Sequence, residues 1–216
     1  MEIDENDVME EEEVEEEAAE EAAPPDIGLV LGALDDDRRA SIQEQLDVAD
    51  KRLAELTATL TERSGRDTWA TSGVHVELYE SGQAMIAGVV DDPAEGITFN
   101  VELRPSNFFD EQRPWRPGEA PRPMATNAWD VEGEALVLKV TKVSGRKYTI
   151  TESAAELEEQ RHDTPEAAVA AFVGYVDDLA ELALSRDPVA ASWQSDIEEY
   201  GTPPPDDEPH EFVSDE

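Results

Sequence analysis

The chain has 216 residues, with 54 Asp and Glu against 16 Lys and Arg, for a formal net charge of −38 at pH 7. It contains no cysteine, which excludes disulfides and thiol catalysis and leaves any metal site to histidine and carboxylates. Its longest apolar run, Ile27 to Leu34, is far shorter than the roughly 20 residues a membrane helix needs.

The acids are unevenly spread. Residues 1–23 hold thirteen of them and residues 196–216 nine, with no Lys or Arg in either stretch, so the middle still carries −16. In dilute buffer such charge strains a compact state by self-repulsion. At molar salt the Debye length falls to roughly 3 Å and most of that repulsion is screened. With only four lysines and arginine preferred, the composition resembles that of cytosolic proteins of salt-accumulating archaea. A GC-rich actinobacterial origin is the second reading. The N-terminal glutamate run lacks the basic-then-apolar pattern of a secretory signal, and the expected location is cytoplasmic.

Residues 1–25 have too little apolar surface to fold alone and read as a disordered acidic tail. Ile27 to Leu34 (IGLVLGAL) reads as a short strand, a helical turn or a docking peptide, most simply packed on its own domain. Ile42, Leu46, Ala49, Leu53, Leu56 and Leu60 then step by 4, 3, 4, 3 and 4, the spacing of an a/d seam. Asp35, Asp36 and Asp37 supply the start of that helix and Ser64-Gly65 its end. The seam fits two seatings equally: a homodimeric coiled coil, or docking on the chain's own domain.

From residue 74 the apolar period changes to two. A two-residue Ser81-Gly82 turn would pair Leu78 with Met85, Val76 with Ala87 and Val74 with Val89. Ile97, Phe99, Val101 and Leu103 form the next strand. A tight turn at Glu132-Gly133 would place Trp129 and Val131 on the same face as Leu136, Leu138 and Val140. A three-residue loop, Val143-Ser144-Gly145, would set Val140 opposite Tyr148 and Leu138 opposite Ile150. Thr164-Pro165 opens a final helix to about residue 185, with Val169, Phe172, Val173, Val176, Leu179, Ala180 and Ala183 on its apolar face. Asp187-Pro188 stops it.

The expected fold is α+β: an antiparallel sheet of about six strands, one face covered by the C-terminal amphipathic helix, preceded by the long helix and flanked by acidic tails. The expected divisions are a tail at 1–25, the apolar segment and helix at 26–66, the α+β domain at 67–190, and a Pro-rich acidic tail at 191–216.

The chemistry is sparse. His75, His162 and His210 have no ligand partners at metal spacing and read as exposed. No P-loop, GxSxG, HExxH or dinucleotide fingerprint is present, and Ser144-Gly145-Arg146-Lys147 turns a hairpin and opens no helix. Asp91, Asp92 and Glu95 lack the EF-hand pattern. No catalytic residue, metal or cofactor is assigned.

Two features stand out. Between Ala135 and Thr151 there is no acid, while Lys139, Lys142, Arg146 and Lys147 give +4. Cations retained on so acidic a chain mark a candidate surface for an anion or partner; the bland reading pairs Lys139 and Lys142 with Glu102 or Asp130 across strands. The second is the insertion 105–126, with five prolines, Phe108, Phe109 and Trp115, and Arg113, Arg116 and Arg122. These are hot-spot and stacking residue types, or a cover for an open sheet end. The leading expectation is a non-enzymatic protein-interaction or adaptor module with an unknown protein partner. The alternatives are a nucleic-acid-associated protein or acidic nucleic-acid mimic, and a small-molecule binder or hydrolase.

Overall fold

Helix α2, Asp36–Ser64, begins on a cap the sequence supplies. Asp35 accepts from the Arg38 N–H at 2.9 Å, with Asp36 and Asp37 in the first turn, where carboxylates suit the positive end of the dipole. The helix ends at Gly65 in the left-handed region, φ 66°. All six seam residues, Ile42 to Leu60, are at most 3% exposed and lie in the chain's own core. The seam is therefore seated intramolecularly, and a coiled coil through residues 42–60 would require that core to open.

The computed structural model describes residues 26–79, 82–108, 126–143 and 146–194; within 139–143 and 146–150 only the backbone is described. Five strands form one antiparallel sheet in the order β1-β2-β3-β4-β5: Ala70–Leu78, Ala84–Asp92, Ile97–Pro105, Trp129–Val143 and Arg146–His162. Before them come α1, Gly28–Leu31, and α2; after them come α3, Pro165–Leu184, and α4, Ala190–Gln194. Among the described residues no helix is long and apolar enough to cross a membrane.

The architecture is α+β as expected, with five strands among the described residues against the expected six or so. Glu132-Gly133 is no turn: both residues lie inside the 15-residue β4. Gly133 is there for room, because a Cβ would come within 2.9 Å of Leu157 Cδ1 and 3.5 Å of Tyr175. With no turn, Val131, Ala135 and Val137 face the core while Leu136 and Leu138 fall on the opposite face.

The first hairpin is shifted by one residue from expectation. Leu78 pairs with Ala84, Val76 with Ile86 and Val74 with Gly88. The Tyr79 N–H donates to Gln83 O and the Gly82 N–H to Tyr79 O, with Gly82 at φ 76°. A turn closed by a left-handed glycine adds one residue to the expected two-residue loop. A one-residue slip moves every side chain of β2 to the other face. Hence Ala84, Ile86 and Val90 face the helices, while Met85 and Ala87 form a second buried cluster with Phe108. The last hairpin is also one residue from expectation, with Val140 opposite Thr149 and Lys142 opposite Lys147.

Helices α2 and α3 lie side by side on one face, α2 over β1 and β2, α3 over β3, β4 and β5. They converge at Gly88, where a Cβ would meet Leu53 of α2 at 2.9 Å and Phe172 of α3 at 3.3 Å. Thr164 caps α3 by accepting from the Ala167 N–H, with Pro165 in the first turn. Ala168, Val169, Phe172, Tyr175, Val176, Leu179 and Ala183 are buried, whereas Val173 and Ala180 are half-buried. An Arg52–Asp177 ion pair ties the two helices at the surface.

The fold runs past the expected boundary at residue 190. Trp193 of α4 is fully buried, edge-on to Phe99 at 5.3 Å. Within IGLVLGAL, the four residues Gly28–Leu31 form α1, whose Val30 and Leu31 are buried and whose Val30 carbonyl accepts from Trp129 Nε1 at 2.9 Å.

Candidate functional site

Strand pairing gives the cationic stretch a definite place. β3 pairs with β4 only as far as Ile97 opposite Val137. From Leu138 opposite Thr151 to Val143 opposite Arg146, β4 and β5 pair with each other alone. Six register pairs at roughly 3.4 Å per residue make a two-stranded arm about 20 Å long. Its base is held where the Leu138 N–H donates to Gly96 O at 2.7 Å. Lys139, Lys142, Arg146 and Lys147 all lie on this arm; their side chains lie outside the described residues. Lys142 and Lys147 are register partners, and like charges directly opposed destabilise a ribbon unless something anionic lies between them.

The register sets Glu102 and Asp130, two of the acids considered as partners for the lysines, well away from Lys139 along the sheet. Glu102 is opposite Glu132, seven residues along β4 from Lys139, or about 24 Å. Glu102 instead accepts from Asn100 and Arg104, and Asp130 holds Arg161 at 2.7 and 2.9 Å.

Of the insertion, Phe109, Arg113, Trp115, Arg116 and Arg122 lie outside the described residues. Phe108 is 3% exposed, packed on Met85 and Ala87 and edge-on to Tyr79 at 5.0 Å. It is buried in the second apolar cluster.

The sheet face opposite the helices carries a charged cluster that sequence reasoning missed. Arg104, 7% exposed, makes a two-pronged ion pair with Glu132 and donates to Glu159 at 2.8 Å and Glu102 at 3.4 Å. Beside it, burial pushes the Glu134 carboxyl above its ordinary range; Glu102 and Glu156 push the same way, against Arg104 and the Ser153 hydrogen bond. The only signal in the sequence is the alternation of Asn100, Glu102 and Arg104 opposite Asp130, Glu132 and Glu134. A carboxyl whose folded pKa is raised stabilises the fold below the ordinary glutamate range and loses that contribution as the pH rises through the raised value. Glu134→Gln is thus expected to be more stable than wild type at neutral pH, the gap closing as the pH falls; urea titrations across that range check it. A constant gap at every pH would remove the desolvated-carboxylate account.

Asp92 and Glu95 are tied into the fold. Arg66 pairs with Asp92 at 2.9 Å and Glu95 at 3.2 Å, and Glu95 also accepts from the Ala190 N–H. Those two carboxylates close the fold and leave no cation site with Asp91. His75 and His162 are half-buried where exposure was expected; His75 Nδ1 lies 3.3 Å from Gly73 O. Among the described residues no group of three or more metal-binding side chains comes together.

A last feature is an open gap of about 600 Å³ between α2 and β1, lined by Asp26, Asp36, Arg39, Ala40, Val74 and Val76 among others. Arg39 is tied to Asp26 at 2.5 Å. Comparison with protein-family models, with curated proteins and with solved structures finds no match.

Proposed function

We propose that the chain is a non-enzymatic protein-interaction or adaptor module of the cytoplasm of a salt-adapted cell, with the basic β4–β5 arm as the surface it offers. The supporting observation is the arm itself: the one long acid-free, cationic stretch of the chain lies where the strands leave their neighbours. A two-stranded ribbon is marginal by itself in water, and it gains most from a partner that covers its edges and neutralises Lys142 and Lys147. The acidic segments at either end of the chain act as solvating tails that keep the module dispersed in concentrated salt.

Magnitudes favour a protein partner over nucleic acid. A two-stranded ribbon fits the major groove of a duplex, but four cations give a salt slope of only about −3.6, and that electrostatic contribution nearly vanishes at molar salt. An acidic protein that also buries the arm's valine, isoleucine and tyrosine side chains retains an apolar contribution that salt does not screen.

Reversing all four charges, Lys139→Glu, Lys142→Glu, Arg146→Glu and Lys147→Glu, is expected to abolish partner capture from the native cell at native salt while circular dichroism stays unchanged. Identical partners on both forms would overturn the reading. Gain of single-strand binding on deleting residues 1–25 would favour the nucleic-acid alternative.

A further inference from the structure

β1 is an edge strand with its outer side half covered. The Tyr79 N–H bonds to Gln83 O of the neighbouring chain segment, so the alternate residues Val74, Val76 and Leu78 turn their backbone groups away from β2. The Val74 N–H is satisfied by Asp50 of α2 at 2.9 Å. Beyond that cap, α2 and β1 diverge and leave the gap lined by Ile27, Ala40, Val74, Val76 and Ile86, with Asp36 on its rim. The outward N–H and C=O groups of Val76 and Leu78 have no partner among the described residues. Val74, Val76 and Leu78 are half-buried apolar side chains, and Glu77 is exposed on the opposite face of β1.

We propose that this gap receives an extended segment of a partner protein, apolar on one side and cationic on the other, which adds a sixth strand to the sheet at Val76 and Leu78. Main-chain bonds to the free edge give such a strand its hold, and alternate side chains give it selectivity. Its apolar side chains enter the gap against Ile27, Val74 and Ile86. Its cations lie on the face of Glu77, in a field that the thirteen acids preceding Asp26 make more negative. The same charge excludes that preceding segment as the occupant. A second copy is disfavoured by its own net charge of −38, and a β1–β1 ladder would compete with Asp50 for the Val74 N–H. The site is separate from the arm and stands without it.

The test uses the full-length chain, its fold checked by circular dichroism, in about 0.15 M KCl, where the Debye length is still about 8 Å, and three fluorescent decapeptides that alternate valine with lysine, glutamate or serine. Anisotropy should show saturable binding of the lysine peptide, with the glutamate peptide weaker by at least about tenfold. Val76→Pro removes one outward donor without breaking a ladder bond, since proline is accepted on an edge; it should abolish binding with the melt retained. If that variant fails to fold, Ala40→Trp, at an exposed position lining the gap, should do the same by filling it. The four charge reversals on the arm should leave binding intact. The proposal is overturned if no peptide of the three saturates, if the glutamate peptide binds as well, or if neither folded variant changes affinity. It is equally overturned if the arm reversals abolish binding, which assigns the peptide to the arm, or if sedimentation shows that β1 is occupied by a second copy.

Discussion

Trp193→Ala is expected to lower stability by about 3–5 kcal/mol, the range for emptying a large aromatic site in a core that cannot collapse around it. The indole is fully buried and meets Phe99 edge-on at 5.3 Å, while Phe99 stacks on Trp69 at 6.0 Å. The Arg186 guanidinium lies 4.7 Å from the indole centroid. A five-residue helix such as α4 has no stability of its own. It is held by what it buries and by the end of α2 and the turn that follows: Arg63 donates to the carbonyls of Leu184 and Arg186 at 2.7 and 3.1 Å, and Arg66 donates to that of Pro188. Removing the indole therefore loosens the whole connection from α3 onward. Urea unfolding with near-ultraviolet dichroism measures the loss. The exposed neighbour Ala191 changed to serine should fall within about 0.5 kcal/mol of wild type. A loss below about 1 kcal/mol for Trp193→Ala would place the indole outside the cooperative core.

Arg104→Met is the second large expectation. The guanidinium is 7% exposed and bridges Glu132, Glu159 and Glu102. Glu102 and Glu132 are direct register partners, so without Arg104 two like charges face one another across the sheet at about 5 Å between their Cβ atoms. Removing one member of a buried charge cluster costs about 3–5 kcal/mol, because the remaining charges lose their compensation. Much of this penalty is repulsion, which salt screens. The defect should be largest near 0.1 M KCl and shrink toward 1 M, where the Debye length falls from about 10 to about 3 Å. Adding Glu102→Gln and Glu132→Gln should restore most of the loss, since a neutral cluster of similar volume carries no unpaired charge. Denaturation of the single and triple variants at both salt concentrations decides the point. A defect equal at the two salts would mean that Arg104 acts by packing alone.

These two sites differ in kind. Trp193 closes the end of the core where α2, α4 and the β2–β3 turn meet, and its contribution is apolar. Arg104 and Glu134 sit on the opposite sheet face, where acids outnumber bases and each carboxylate's cost depends on the surrounding solvent. A chain with that face depends on salt for part of its stability. The arm and the β1 gap are two places in the described structure where the sheet has a backbone edge that no other strand pairs.

The chain's local grammar determined a good deal. The start and stop of α2 and the start of α3 follow from Asp35, Gly65 and Thr164-Pro165, because caps act within a single turn of chain. The core face of β3 follows from period-two alternation alone: Ile97, Phe99, Val101 and Leu103 are all buried. The basic stretch at 139–147 was legible as composition.

Tertiary structure decided the rest, for a physical reason. Alternation says which residues share a face but not which neighbour they oppose, and a single left-handed glycine at position 82 shifts the whole of β2 by one. β2 also buries both faces, so its sequence carries no periodicity that could have fixed the register. Glu132-Gly133 has turn chemistry, yet Gly133 is needed because Leu157 and Tyr175 crowd the strand there. β5 runs on through Glu152 to His162, residues rich in helix formers, because pairing along β4 outweighs intrinsic propensities of a few tenths of a kcal/mol each. The seam of α2 reads alike for a partner helix and for a sheet, and only the presence of α3 and the β1–β2 face settled which it covers. Trp193, six residues beyond the helix-stopping proline region that begins at Asp187, carried no local signal of burial: it packs edge-on to Phe99, nearly a hundred positions earlier in the chain.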